Sequence, residues 1–167
     1  VQNLMLADDN GHAAWQLAGA VPARTLTSDI GLTSEQIEWA KWQQSVSKLP
    51  SRLDPPSGRL WSANARVMST EEAQRFGDGG YALGARSAQI RDRLQEQDKF
   101  DEGDFYRIQL DNEARFYGPW QSYLLDALMR DPKRFAKDIV QIRDWQGCAC
   151  AESVGFTLVK AFRSQLL

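Results

Sequence analysis

The stretch Leu53–Val67 reads LDPPSGRLWSANARV. Asp54-Pro55-Pro56-Ser57-Gly58 is dense turn chemistry, because Pro fixes φ and Gly accepts positive φ. Leu60 and Trp61 then predict the start of a strand that runs on through Ala63, Asn64, Ala65 and Val67. Asn has low strand propensity. A buried carboxamide must also find hydrogen-bond partners or destabilise the fold. Two roles fit Asn64. It can tie down a local turn through its side chain. It can also aim a carboxamide N–H at a developing oxyanion, which requires a donor held rigidly in a dry site.

Upstream, residues 1–24 predict a hairpin. Leu4, Met5 and Leu6 form a short apolar run before Asp8-Asp9-Asn10-Gly11, and Asn-Gly is a strong two-residue turn signal. The return strand, His12 to Ala18, alternates Trp15 and Leu17 with smaller or polar residues. His12, just after the turn, reads as a solvated turn residue. Residues 25–52 read as a loop with one amphipathic helix, capped by Thr33 or Ser34, carrying Ile37, Trp39, Ala40 and Trp42 and stopped at Leu49-Pro50. Trp15, Trp39 and Trp42 could form an aromatic platform for a ligand or pack as core and edge residues; packing is the usual use of Trp.

Downstream the pattern is helical. Ser69 or Thr70 caps a short helix with Glu71 and Glu72 in its first turn, ending at Gly77. After Gly79-Gly80, Tyr81 to Gln97 predicts a helix with Leu83, Ile90 and Leu94 inside, and Arg86 near its start. Asp101 or Asp104 begins the next, with Phe105, Ile108, Asn112 and Phe116 on one face. Pro119 cannot sit inside a continuous helix, so a break falls at Gly118 and a new helix starts with Pro119 near its first position, burying Trp120, Tyr123, Leu124 and Leu128. Phe135, Ile139 and Ile142 mark a further helix. Glu152–Leu167 is the last, with Val154, Leu158, Phe162 and Leu166 at near-helical spacing. Strands first and helices after predict an α+β unit or part of a layered fold.

The composition of the 167 residues, 43% hydrophobic and 25% charged with net charge −2, is that of a globular domain with a real core. No basic face stands out, which argues against nucleic acid as a partner. No apolar run approaches the roughly 18 residues of a membrane span. Cys148 and Cys150 are too close in sequence for an unstrained bridge and read as unbridged, small, partly buried residues. With no His beside them they are not a zinc site. The single histidine, His12, limits nucleophile–base pairs within the chain, because His is the commonest general base. The start at Val1, on an apolar run, predicts a piece of a longer precursor.

Several of these stretches, taken in order, resemble one family. Asn3–Arg24, NLMLADDNGHAAWQLAGAVPAR, is similar to a hairpin in the interior of the large chain of penicillin acylases, which ends in Gly-x-x-Pro-x-Arg. Leu49-Pro50, Asp54-Pro55-Pro56-Ser57-Gly58 and Ser62-Ala63-Asn64 resemble the family's Leu-Pro, Pro-x-Ser-Gly and Ala-Asn sequence. Arg86-Ser87-Ala88-Gln89-Ile90 with Leu94 resembles its Arg-containing helix. Gln109-Leu110-Asp111 and Asp144-Trp145-Gln146-Gly147 resemble two later signatures. The order is collinear over nearly the whole chain.

The resemblance implies an N-terminal-nucleophile hydrolase with an αββα architecture, of which residues 1–67 would be a strand-rich hairpin and loop and residues 68–167 a helical part of one catalytic domain. It implies a self-processed precursor exported to the periplasm or secreted, in which an N-terminal Ser attacks a linear amide with its own α-amino group as base. Such an amine titrates near about 7.7–8 and replaces the missing His. By the same resemblance Asn64 is an oxyanion-hole donor and Arg86 the catalytic-site arginine that helps position the nucleophile's amino group and Asn64. The implied substrates are penicillin-type or N-acyl homoserine lactone-type amides, and the implied partners are the other segments of the precursor. Residue 1 is Val, so the nucleophile is expected outside this chain, as is the backbone N–H that completes the family's oxyanion hole. Ala65 stands where many members have a second Asn. Members often hold a structural calcium, but one of its ligand positions falls on Arg75; no metal or other cofactor is assigned, and Glu71 and Glu72 are expected to be dipole-favoured first-turn carboxylates. The second reading of the chain is a non-catalytic folded fragment or scaffold without activity of its own.

Overall fold

The computed structural model describes residues 2–19, 33–35, 49–76 and 80–167. Among them are three antiparallel strands and six helices, an α+β chain. It divides into two compact units, Val1–Glu96 and Gln97–Leu167.

In the first unit, β1 (Gln2–Ala7) pairs with β2 (Ala13–Ala18), and β2 pairs with β3 (Ser51–Leu53). The hairpin loop is longer than a two-residue Asn-Gly turn. Asp8 N donates to His12 O at 3.1 Å, and only Gly11 has positive φ, at 88°. A two-residue type I′ turn needs positive φ at both centres, whereas a longer loop closed by a left-handed Gly needs it once. The Asp8 carboxylate accepts from Asn10 N and His12 N. β2 alternates as expected, with Trp15 and Leu17 buried. They pack with Met68 and with the half-buried Leu49, Leu60, Val67 and Tyr81. β3 falls where only a loop was expected. The helix expected after Thr33 lies mostly outside the described residues, as do Trp39 and Trp42.

The strand expected from Leu60 to Val67 does not form; the segment is turn and irregular backbone. Positive φ at Ala63 (58°) and Asn64 (61°) is incompatible with an extended chain. Helix α1 (Thr70–Phe76) is capped by Ser69: Glu72 N donates to Ser69 Oγ and Ser69 N to Glu72 Oε2, a reciprocal capping box. Helix α2 is Ala85–Leu94, shorter than predicted, and Leu83 before it is exposed.

The second unit begins with α3 (Glu102–Gln109), where Asp101 and Asp104 form another capping box. This helix stops well before Phe116, so the face drawn from Phe105 to Phe116 is not continuous. The break at Gly118 is observed: a single 3-10 turn, Arg115–Tyr117, leads into α4 (Gly118–Leu128) with Pro in its first turn. Helices α5 (Ala136–Arg143) and α6 (Val154–Leu166) complete the unit. Its core is Ala114, Leu124, Ile142, Trp145 and Val159. Tyr123, expected inside, is exposed. Of the stripe expected on α6, Leu158 and Phe162 pack against this core, but its two end members do not, and the inward face is rotated toward Gly155 and Val159. Gly155 and Val159 are buried, while Val154 and Leu166 are exposed. Gly155 allows this rotation because a Cβ there would collide with the Gln141 carbonyl and Trp145 Cβ. The structure joins Cys148 to Cys150, correcting the unbridged reading; their Cα separation of 5.2 Å is within disulfide range. Trp145 Nε1 donates to Cys148 O, and Ala114 N to Gly147 O, so the Asp-Trp-x-Gly stretch is a hydrogen-bonded corner.

Candidate functional site

Positive φ at two consecutive non-glycine residues is the least expected backbone feature of the chain. Ser62–Ala65 closes as a turn with Ala65 N donating to Ser62 O at 3.4 Å. Positive φ at both central positions is the signature of a type I′ turn. Asn tolerates this region better than most residues; Ala does not, and it costs roughly 1–2 kcal/mol there. The surroundings therefore have to over-determine the turn.

They do so from three sides. Beneath it, the neighbouring Ala65 and Met68 are buried. From the next segment, Ala82 N donates to Asn64 O at 2.9 Å. From the sheet comes a chain of side-chain hydrogen bonds: Trp15 Nε1 donates to Asn3 Oδ1 at 2.9 Å, and Asn3 Nδ2 donates to Ser62 Oγ at 3.1 Å. Trp15 is only 2% exposed, so the chain is anchored in the core of this unit. Sequence reading missed Asn3 and Ser62. The available signal was an Asn in an apolar strand, the same oddity that singled out Asn64.

The fourth restraint is Arg86. Its Nη2 donates to Asn64 Oδ1 at 2.7 Å and to Ala63 O at 3.0 Å. The structure thus brings together the two residues singled out from sequence. A guanidinium has only donors, so it must meet the oxygen of the carboxamide. That fixes which way the amide lies: Oδ1 is held by the cation, and the Nδ2 donors point away without a partner among the described residues. The charge-assisted bond also polarises the amide, which strengthens those donors. Arg86 is the second residue of α2, where the helix dipole disfavours a cation, and no acidic residue sits in that first turn. Local helix energetics do not account for an arginine at that place; contact with the turn does. Both side chains are exposed among the described residues, not buried as an in-strand Asn would be.

Arg52 supports the same region and was passed over as loop. It lies opposite Trp15 in the sheet with its guanidinium 6.0 Å from the indole centroid, and it forks onto Glu72 through Nη2–Oε2 at 2.6 Å and Nη1–Oε1 at 3.0 Å. The Arg52 hydrogen bond, with the Ser69 N–H, pulls the Glu72 carboxyl down to about 2. Glu72 is therefore committed to capping and pairing. The Ala13 N–H first, and then His12, hold the Asp54 carboxyl below its ordinary value, with His12 Nδ1 2.8 Å from Asp54 Oδ2. Among the described residues no three His, Cys, Asp or Glu side chains cluster as a metal site would require, and the side chain of Arg75 lies outside them.

The family model described as Penicillin amidase matches residues 1–167, the whole chain. The chain belongs to the penicillin amidase family. No curated protein matches it. As a penicillin amidase chain it belongs to a hydrolase acting on amide bonds. Asn64 and Arg86, joined by a hydrogen bond in the first unit, are the candidate site of this penicillin amidase chain.

Proposed function

We propose that the protein carrying this chain cleaves a linear carbon–nitrogen amide bond through an acyl-enzyme on an N-terminal Ser supplied from outside these 167 residues. In this reading Asn64 donates its Nδ2–H to the oxyanion of the tetrahedral intermediate, and Arg86 sets and polarises that donor. The observation that carries the reading is the 2.7 Å bond from Arg86 Nη2 to Asn64 Oδ1, which leaves the amide's nitrogen pointing outward on a turn held from several sides. A preorganised donor reorients little when charge develops, which is why such groups lower barriers. The amide class is that of penicillin-type or N-acyl homoserine lactone-type substrates. The remaining segments of the precursor are the obligate partners, and an exported location goes with this reading.

The test is Asn64→Ala in the complete processed protein. Turnover of a chromogenic acyl amide should fall by about 10²–10³, with the melting transition and the far-UV spectrum retained. Wild-type turnover in that variant would sink the assignment.

A further inference from the structure

The Cys148–Cys150 bridge in the second unit spans a single residue, Ala149. Loop-closure entropy grows with loop length, so a bridge this short adds little to stability. The corner around it is already held by hydrogen bonds that involve no sulfur. Trp145 Nε1 donates to Cys148 O at 2.7 Å, Ala149 N to Asn112 O at 2.8 Å and Ala114 N to Gly147 O at 2.6 Å. Glu113 and Cys148 also pair as an antiparallel backbone bridge. Fastening the chain therefore explains little of why two thiols stand here. Both cysteines are half-buried, and accessible bridges are the ones that exchange with other thiols.

The two sulfurs have different surroundings. Asn112 Nδ2 donates to Cys150 Sγ at 3.5 Å. No N–H or O–H donates to Cys148 Sγ among the described residues. A donor at a sulfur favours the thiolate over the thiol, and the sulfur that carries charge more easily is the better leaving group. Attack by an outside thiolate is therefore directed to Cys148, with the electron pair of the broken bond going to Cys150.

We propose that Cys148 is a site of reversible modification by low-molecular-weight thiols, with Cys150 as the thiol that leaves and later returns. The incoming thiolate bonds to Cys148 Sγ as the Cys148–Cys150 bond breaks, and the Cys150 thiolate takes a proton from water. One disulfide is exchanged for another, so no separate oxidant or reductant is consumed. In the reverse step the Cys150 thiolate attacks Cys148 Sγ, releases the small thiol and restores the bridge. The hydrogen bonds of Trp145, Ala149 and Ala114 need no S–S bond, so the helices of the unit keep their places throughout. The inference is independent of the role given to Asn64.

The probe is glutathione, applied in excess to the complete protein, which is then quenched with acid, blocked with N-ethylmaleimide and mapped by peptide mass spectrometry. Before treatment, neither cysteine should react with the maleimide. After it, glutathione should sit on Cys148 and the maleimide on Cys150, with the far-UV spectrum unchanged. That arrangement should exceed the reverse by at least about threefold, the low end of what one hydrogen bond contributes. Asn112→Leu removes the donor but keeps the backbone carbonyl that accepts from Ala149; it should slow exchange and bring the two arrangements toward equality. Free thiols in the untreated protein overturn the proposal, as does glutathione on Cys150 as often as on Cys148. Incorporation that requires loss of the helical signal or unfolding in urea overturns it as well. So does a folded Asn112→Leu protein with the wild-type rate and preference. If that variant fails to fold, the wild-type preference between the two sulfurs decides alone.

Discussion

The turn at Asn64 and the helical core around Ile142 are ordered by different forces. In the Gln97–Leu167 unit, apolar burial dominates: Ile142 and Val159 are 0% exposed, with Trp145 and Leu124 against them. Burial is proportional to area and nearly blind to direction, so it fixes where helices lie but aims no single atom. At Ser62–Ala65 only Asn64 is exposed, Ser62 and Ala63 are half-buried above the buried Ala65, and two residues take left-handed backbone. There the restraints are hydrogen bonds from Arg86, Asn3 and Ala82, which are directional. The first kind of order gives a scaffold. The second gives one donor with a defined orientation, which acyl-transfer chemistry can use.

Four changes test this division. Ile142→Ala should have the largest effect on stability, about 2–5 kcal/mol, read from urea unfolding followed at residues of the helical unit. Asn3→Leu comes next. It orphans the buried Trp15 Nε1–H, which costs about 1–3 kcal/mol, and it frees Ser62. If the turn is held as described, amide turnover should drop further than the loss of folded protein explains, with kcat affected more than KM. A stability loss with unchanged kcat would place Asn3 among purely structural residues.

Glu72→Gln should act more weakly and depend on pH. The folded carboxyl titrates at about 2, below its ordinary 4.5. Its contribution is therefore present above about 4.5 and is lost as pH falls toward about 2. Arg52 is 43% exposed and Glu72 30%, so the contribution is discounted to below about 1 kcal/mol. Wild-type and variant melting points should differ at neutral pH and converge on acidification; a constant gap from neutral pH to pH 2 would contradict this origin. Smallest is Ala63→Gly. It removes the penalty of a left-handed Ala but adds freedom to the unfolded chain, so stability should rise by under about 1 kcal/mol with turnover unchanged. A marked loss of stability would mean that the Ala63 methyl, and not backbone shape, holds the turn.

Much of this was legible from residue types. The hairpin, the Trp15–Leu17 alternation, the Ser69 cap, the restart at Gly118-Pro119 and the helix around Ile139 and Ile142 all follow from local signals acting over a few residues. The failures share a cause. The predicted strand from Leu60 to Val67 rested on apolar spacing, but Ala63 and Asn64 are held in left-handed backbone by contacts from Asn3, Ala82 and Arg86, distant in sequence. The stripe on α6 held at Leu158 and Phe162 but missed at Val154 and Leu166, because Gly155, with no side chain to register as apolar, is the residue that approaches α5. β3 was missed because Ser51–Leu53 is only 3 residues long and its partner lies far upstream. The bridge between Cys148 and Cys150 depends on a corner built by Trp145 and Gly147.

By itself the sequence determined the α+β class, the family, and the choice of Asn64 and Arg86, because these rest on periodicity, turn chemistry and the order of short signatures. Only the tertiary structure decided that Asn64 sits on a left-handed turn, that its oxygen faces Arg86 and its nitrogen faces out, and that Asn3 and Trp15 reach the same turn. Those facts depend on where side chains from three separate segments meet. No local propensity encodes such a meeting, since a hydrogen bond is set by distance and angle in space and not by separation along the chain.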